Sequence, residues 1–184
     1  MKRKVLLIAV ILVLAINLTY AQKYFTKGAK ISFFSSTSLE NISAINKSAV
    51  SLLDTKTGEL QFAVLLKGFE FKKALMQEHF NKDYVESDKY PKAEFKGTIT
   101  NNNSINYVAS GSYNVIVKGK LTIHGQTNDI ETSGSVVVTD GKLQTMAAFN
   151  ISIADYKIVV PKLYRDNISP TIRISVECNL DPLK

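Results

Sequence analysis

The feature that most restricts what this chain can fold into is period-two alternation, which recurs along most of its length. From Gly111 to His124, Tyr113, Val115, Val117, Leu121 and Ile123 fall on one side. Asn114, Lys118, Lys120, Thr122 and His124 fall on the other, with Ile116 the exception. Such alternation describes a strand with one face buried and one solvated. The pattern returns in Ala29, Ile31 and Phe33; in Leu60, Phe62, Val64 and Leu66; and in Ala93, Phe95, Gly97 and Ile99. It returns again in Ile130, Val136 and Val138, in Leu143, Ala147, Phe149, Ile151 and Ile153, and in Ile172, Ile174, Val176, Cys178 and Leu180. Ile42 to Asp54 is apolar on both sides, so its register stays open. Thr57-Gly58 reads as a turn, and Asp140-Gly141 as a hairpin turn of type I′. About eight antiparallel strands with one-sided patterning fit either a closed barrel or a sandwich, and the residues alone favour neither.

One long stretch interrupts the strands, from Phe69 to Gly97. Phe71, Leu75, Met76 and Phe80 recur at helical steps, with Lys73, Gln77 and Asn81 opposite them. The spacing predicts a short amphipathic helix ending near Asn81 to Asp83. Tyr90-Pro91 then enforces extended backbone, because proline disfavours helix at the residue before it.

The N-terminus reads as a leader. Lys2, Arg3 and Lys4 precede an apolar run from Val5 to Ile16, and Thr19-Tyr20-Ala21 has the small residues of a cleavage site. Two segments are therefore expected, a signal peptide over 1–21 and one domain over 22–184. The apolar run is short for a span of about 20 residues. No cysteine follows the run to carry a lipid. The chain holds 184 residues with 23 Lys and Arg against 16 Asp and Glu, and three of those cations belong to the leader. The rest are scattered, with no basic run of interleaved aromatics to suggest a nucleic-acid surface. Cys178 is the sole cysteine. It can form no intramolecular disulfide, so an exported chain must rely on its core.

Catalytic chemistry finds no foothold. No nucleophile is paired with a base, and no glycine-rich phosphate loop occurs; Gly119 and Gly125 flank a strand. The two histidines, His79 on the apolar helix side and His124 at a strand end, lack ligand spacing. The residues thus predict no enzyme, no metal and no cofactor.

Three blocks carry a resemblance. They are His79-Phe80, Asp83-Tyr84, Tyr90-Pro91 and Phe95; then Gly119-Lys120-Leu121-Thr122-Ile123-His124-Gly125-Gln126-Thr127; then Phe149-Asn150-Ile151-Ser152-Ile153-Ala154-Asp155-Tyr156. In order and spacing they resemble the YceI-like family, although Gln77-Glu78 stand where that family often has Arg-Asp. The resemblance implies an all-β fold, a lipocalin-like antiparallel barrel of about eight strands with one helix in a connection. It also implies a periplasmic or secreted protein that binds a long isoprenoid chain, polyprenyl or quinone-type, in the barrel lumen.

On that reading the candidate ligand-binding residues are those on the inward phases and on the helix. The strands offer Phe62, Val64, Phe95, Ile99, Tyr113, Val115, Val117, Phe149 and Ile151. The helix offers Phe71, Leu75, Met76, His79 and Phe80, and should lie over or beside one end of the barrel. A competing reading is an envelope stress or interaction protein whose barrel is filled by side chains. Its function would lie on the outer loops 101–110 and 156–167. Transient membrane contact and a dimeric state both stay open.

Overall fold

The computed structural model describes residues 23–183. The expected leader lies outside the described residues. Nine strands form in order: β1 (Lys23–Ser36), β2 (Asn41–Asp54), β3 (Glu59–Leu65), β4 (Glu70–Phe71), β5 (Lys92–Ile99), β6 (Gly111–Ile123), β7 (Gln126–Thr139), β8 (Lys142–Ser152) and β9 (Thr171–Pro182). Each stave is antiparallel to its neighbours, in the order β1-β2-β3-β5-β6-β7-β8-β9, and β9 returns to β1. Eight staves therefore close on themselves, and no stave is left with an unpaired edge. β4 is a two-residue addition that pairs with Ala44 and Ile45 of β2. A barrel of eight strands is just wide enough for its own side chains or one slender ligand.

Closure explains the alternation: each stave turns one residue in two toward the lumen. It also explains why β2 hides its register. Ala29 pairs with Ala49, but Ile31 pairs with Asn46, so β2 carries one extra residue there. The bulge flips its inward set from Ala44 and Asn46 to Ala49, Ser51 and Leu53, all buried. Asn46 secures it. Its Nδ2 donates to the Leu65 carbonyl (3.0 Å), and its Oδ1 accepts from the Ser48 amide (2.8 Å).

The Asp140-Gly141 turn is left-handed at both residues (φ 49° and 74°), as a type I′ hairpin requires. β7 starts at Gln126, ahead of the expected Ile130. Gly97 and Gly119 face one another across β5 and β6. A Cβ on either would stand 2.5 Å or 2.6 Å from Cζ of Phe95, so the ring lies over ground that only glycine leaves free.

The expected helix is shorter than its periodicity suggests. α1 spans Ala74–His79, and a wide π-type turn continues it through Phe80–Tyr84. Phe71, expected on the helix, belongs instead to β4.

The antiparallel order sets the two ends of the barrel. One end gathers the β2–β3, β7–β8 and β5–β6 connections. It is filled by Tyr24, Leu53, Val136, Val138, Leu143, Cys178 and Leu180, each 5% exposed or less. The other end carries α1 and the loop between β8 and β9.

Candidate functional site

A cavity of 440 Å³ occupies the α1 end of the lumen. The staves supply most of its wall. Ile31 and Phe33 come from β1, Phe62 and Val64 from β3, Phe95 and Ile99 from β5, and Val115, Val117 and Leu121 from β6. Phe149 and Ile151 of β8 and Ile172, Ile174 and Val176 of β9 complete the ring. The space exists because several inward positions carry little side chain: Thr132 and Gly134 on β7, Thr145 and Ala147 on β8. Gly134 and Ala147 sit opposite each other in register.

Four phenylalanines build the wall beneath α1. Phe33 stacks on Phe80 (centroids 5.4 Å apart) and touches Phe69 (5.5 Å) and Phe71 (5.6 Å), while Phe71 meets Phe80 at 5.1 Å. On the far wall Phe62 lies 6.4 Å from Phe95. Tilted and edge contacts of this kind add to simple burial.

The polar groups sit at the mouth. Glu40, in the β1–β2 turn, pairs with Lys73 (3.2 Å) and accepts a hydrogen bond from Asn167 (3.3 Å). His79 Nδ1 is 2.6 Å from the Asp83 carboxylate, one helical turn on, and its ring lies 6.0 Å from that of Tyr164. Burial raises the Tyr84 hydroxyl above its usual range. Leu75, at the mouth, is 62% exposed.

His124 is held elsewhere. It lies outside the lumen in a left-handed turn (φ 50°), with Nδ1 3.0 Å from the Tyr156 carbonyl and Nε2 2.6 Å from the Glu86 carboxylate. The Tyr90 ring packs edge-on against it at 4.7 Å. The hydrogen bond to His124 is the main cause that lowers the Glu86 carboxyl below its ordinary value. His124 thus fastens the segment after α1 and the loop after β8 to the β6–β7 turn. Among the described residues no group of three or more His, Cys, Asp or Glu side chains could hold a metal ion.

Thirteen of the fourteen candidate residues are brought together on the cavity wall or mouth: Phe62, Val64, Phe71, Leu75, Met76, His79, Phe80, Phe95, Ile99, Val115, Val117, Phe149 and Ile151. Tyr113 is not among them. Its inward phase holds, but it pairs with Val136 toward the filled end, and its hydroxyl folds back over Gly111. Sequence reasoning passed over Phe33, Ile174 and Val176 as site residues. Their strand alternation was visible, but nothing local placed those strands against the cavity. Tyr164 and Asn167 gave no periodic signal at all.

Comparison with known proteins accords with this geometry. A YceI-like domain matches residues 25–180. Among curated proteins, none matches the sequence. The chain is similar in structure to a polyisoprenoid-binding domain from Saccharophagus degradans implicated in plant cell wall breakdown. The TM-score is 0.77 at 16% identity, over 89% of this chain and 99% of that one. It is similar to BcnA of Burkholderia cenocepacia, with TM-score 0.67 at 17% identity over 83% of this chain and 95% of that one. It is also similar to the YceI protein of Campylobacter jejuni, with TM-score 0.56 at 18% identity over 74% and 81% of the two chains.

Proposed function

The chain belongs to the YceI-like family, and from that premise we propose that its lumen binds a long isoprenoid chain, polyprenyl or quinone-type. The role is to carry, store or sequester such a lipid in the cell envelope, after cleavage of the 1–21 leader. The observation that carries the reading is the 440 Å³ cavity with an aliphatic and aromatic wall. That volume lies within the roughly 300–1,000 Å³ range of small-molecule sites. Apolar burial supplies the affinity. Each CH₂ removed from water contributes about 0.8 kcal/mol, so one five-carbon unit gives roughly 3–4 kcal/mol before the entropy of association is subtracted. Saturated and unsaturated tails need only an apolar wall of the right width. The polar groups at the mouth, Lys73, Glu40, His79 and Tyr164, are where a head group would rest.

The reading is of a binding protein: the lumen wall is aliphatic and aromatic, and a neighbour of similar fold is a polyisoprenoid-binding domain. A side-chain-filled barrel acting through its loops draws less support, because Gly134, Thr145 and Ala147 leave the lumen short of filling. Organic extraction of the purified protein followed by mass spectrometry tests the proposal. An isoprenoid recovered in near-stoichiometric amount supports it. Extracts containing none, from protein made in cells rich in such lipids, count against it.

A further inference from the structure

Three segments meet at the mouth. Glu40 joins the β1–β2 turn to Lys73 and to Asn167, and the His79 and Tyr164 rings are neighbours. These contacts hold the loop after β8 beside α1. Ile158, Val160 and Tyr164 of that loop turn toward the cavity. The residues between them turn outward: Val159 is 73% exposed and Leu163 79% exposed, more than any other large apolar side chain described. From Lys157 to Arg165 the sequence is Lys-Ile-Val-Val-Pro-Lys-Leu-Tyr-Arg, with three cations and no carboxylate. Lys157, Lys162 and Arg165 are all exposed, and Asp155 and Asp166 lie only at its borders.

We propose that this loop seats the mouth of the barrel on an anionic phospholipid surface. Exposed aliphatic side chains cost free energy in water, and a cluster of them marks a contact surface. Cations interleaved with them match a negatively charged leaflet: the basic groups draw the loop to the head groups, and Val159 and Leu163 enter the boundary below. Tyr164 has the apolar ring and polar tip favoured at such a boundary. Charge complementarity selects a lipid surface over a second copy, since two such loops face to face would oppose like charges. The inference extends the lumen reading, because a lipid leaving a bilayer would pass directly through the seated mouth. The loop chemistry stands without it.

The test uses a chain beginning at Lys23, which contains the whole closed barrel, and sedimentation with vesicles. Phosphatidylglycerol–phosphatidylcholine vesicles should carry the protein down at low salt and less so at high salt. Pure phosphatidylcholine should carry little. The double variant Val159→Ser/Leu163→Ser and the triple variant Lys157→Gln/Lys162→Gln/Arg165→Gln should each weaken binding about tenfold or more. Val108→Ser, at the opposite end and also exposed, should bind like wild type. The two loop variants are independent, so one that failed to fold would leave the other to decide. Wild type remaining in the supernatant with anionic vesicles at low salt would overturn the proposal. So would loop variants that bind unchanged, or a dimer in sedimentation velocity that Leu163→Ser splits. Extracting lipid from the same samples separates the two readings. Vesicle binding without any internal lipid would uphold the docking loop while removing the lumen reading; lost vesicle binding in variants that retain lipid upholds both.

Discussion

The two ends of this barrel are built from the same staves and differ in what the inward positions carry. At the β7–β8 end, Val138, Leu143, Cys178 and Leu180 leave almost no accessible surface, and Leu53 and Val136, equally buried, line the cavity from that side. At the α1 end, Gly134 and Ala147 occupy inward positions, and a 440 Å³ cavity opens between Phe33, Phe62, Phe149 and Ile174, reaching down to Thr145, which pairs with Val136 and Cys178. A protein interior normally packs to near-crystalline density. The first end obeys that rule and supplies stability. The second departs from it, and the departure is where function is to be sought. The same contrast extends to the covers. Loop 101–107 closes the filled end with Ile105 buried and with Tyr107 donating to Asn102 (2.8 Å). The α1 end is roofed by a six-residue helix with no buried residue of its own.

Substitutions can break this comparison, and the largest effect concerns the inward phase itself. Val117 faces the lumen, paired with Ile99 and Thr132. Val117→Asp buries an unpaired carboxylate and should cost about 4 kcal/mol or prevent folding, read by denaturant midpoint. Next comes the same added volume in the packed wall and in the cavity. Ala49→Phe, at a site with no exposure, should cost about 3 kcal/mol through overpacking. Ala147→Phe projects into the cavity and should change stability by less than about 1 kcal/mol while removing retained lipid. Val115→Trp is a poorer probe than Ala147→Phe, because Val115 is already 3% exposed. Equal destabilisation by Ala49→Phe and Ala147→Phe would erase the distinction.

Smaller effects sharpen it. Lys118 lies on the outer face in an ion pair with Glu131 (2.9 Å). Lys118→Asp sets two carboxylates opposite each other and should cost about 0.5–1 kcal/mol. Cys178 belongs to the filled end, where burial pushes its thiol up to about 11. It should resist alkylation until the barrel unfolds. Between the ordinary 9.0 and about 11 the unfolded chain releases this proton first, so stability should fall as pH rises through that window. At the other end the sign reverses. Glu86 is held below its ordinary 4.5 by His124, so its contribution is complete above that value and is lost as pH falls through the lowered one. Glu86→Gln should therefore be less stable than wild type near neutrality and equal to it in acid, by thermal melting at each pH.

How much of this could be read from the residues follows from the range of the signals. Strand phase is local, and it placed Phe62, Phe95, Val115 and Phe149 on the correct face. Barrel closure is not local, and it came from the family resemblance. The β2 bulge at Lys47 and Ser48 swaps inward and outward sets within one strand, and no periodicity survives such a swap. Phe71 sits at a helical step from Leu75, yet backbone pairing with Ala44, distant in sequence, takes it into β4. Tyr113 shares the inward phase of Val115 but stands nearer the filled end, a distinction of height along the axis that alternation cannot express. Glu40, Tyr164 and Asn167 come together at the mouth from separate connections, so only the assembled fold shows them as neighbours.

The central claim is that the α1 end accepts an apolar chain and the other end does not. Calorimetric titration of the Lys23-onward chain with a solubilised isoprenoid alcohol, repeated over a range of temperatures, tests it most directly. Saturable one-to-one binding is expected, with a negative heat-capacity change that marks apolar burial, lost in Ala147→Phe and kept in Leu163→Ser. Wild-type protein that is folded and stripped of lipid, yet gives no saturable binding at any temperature, would contradict the claim.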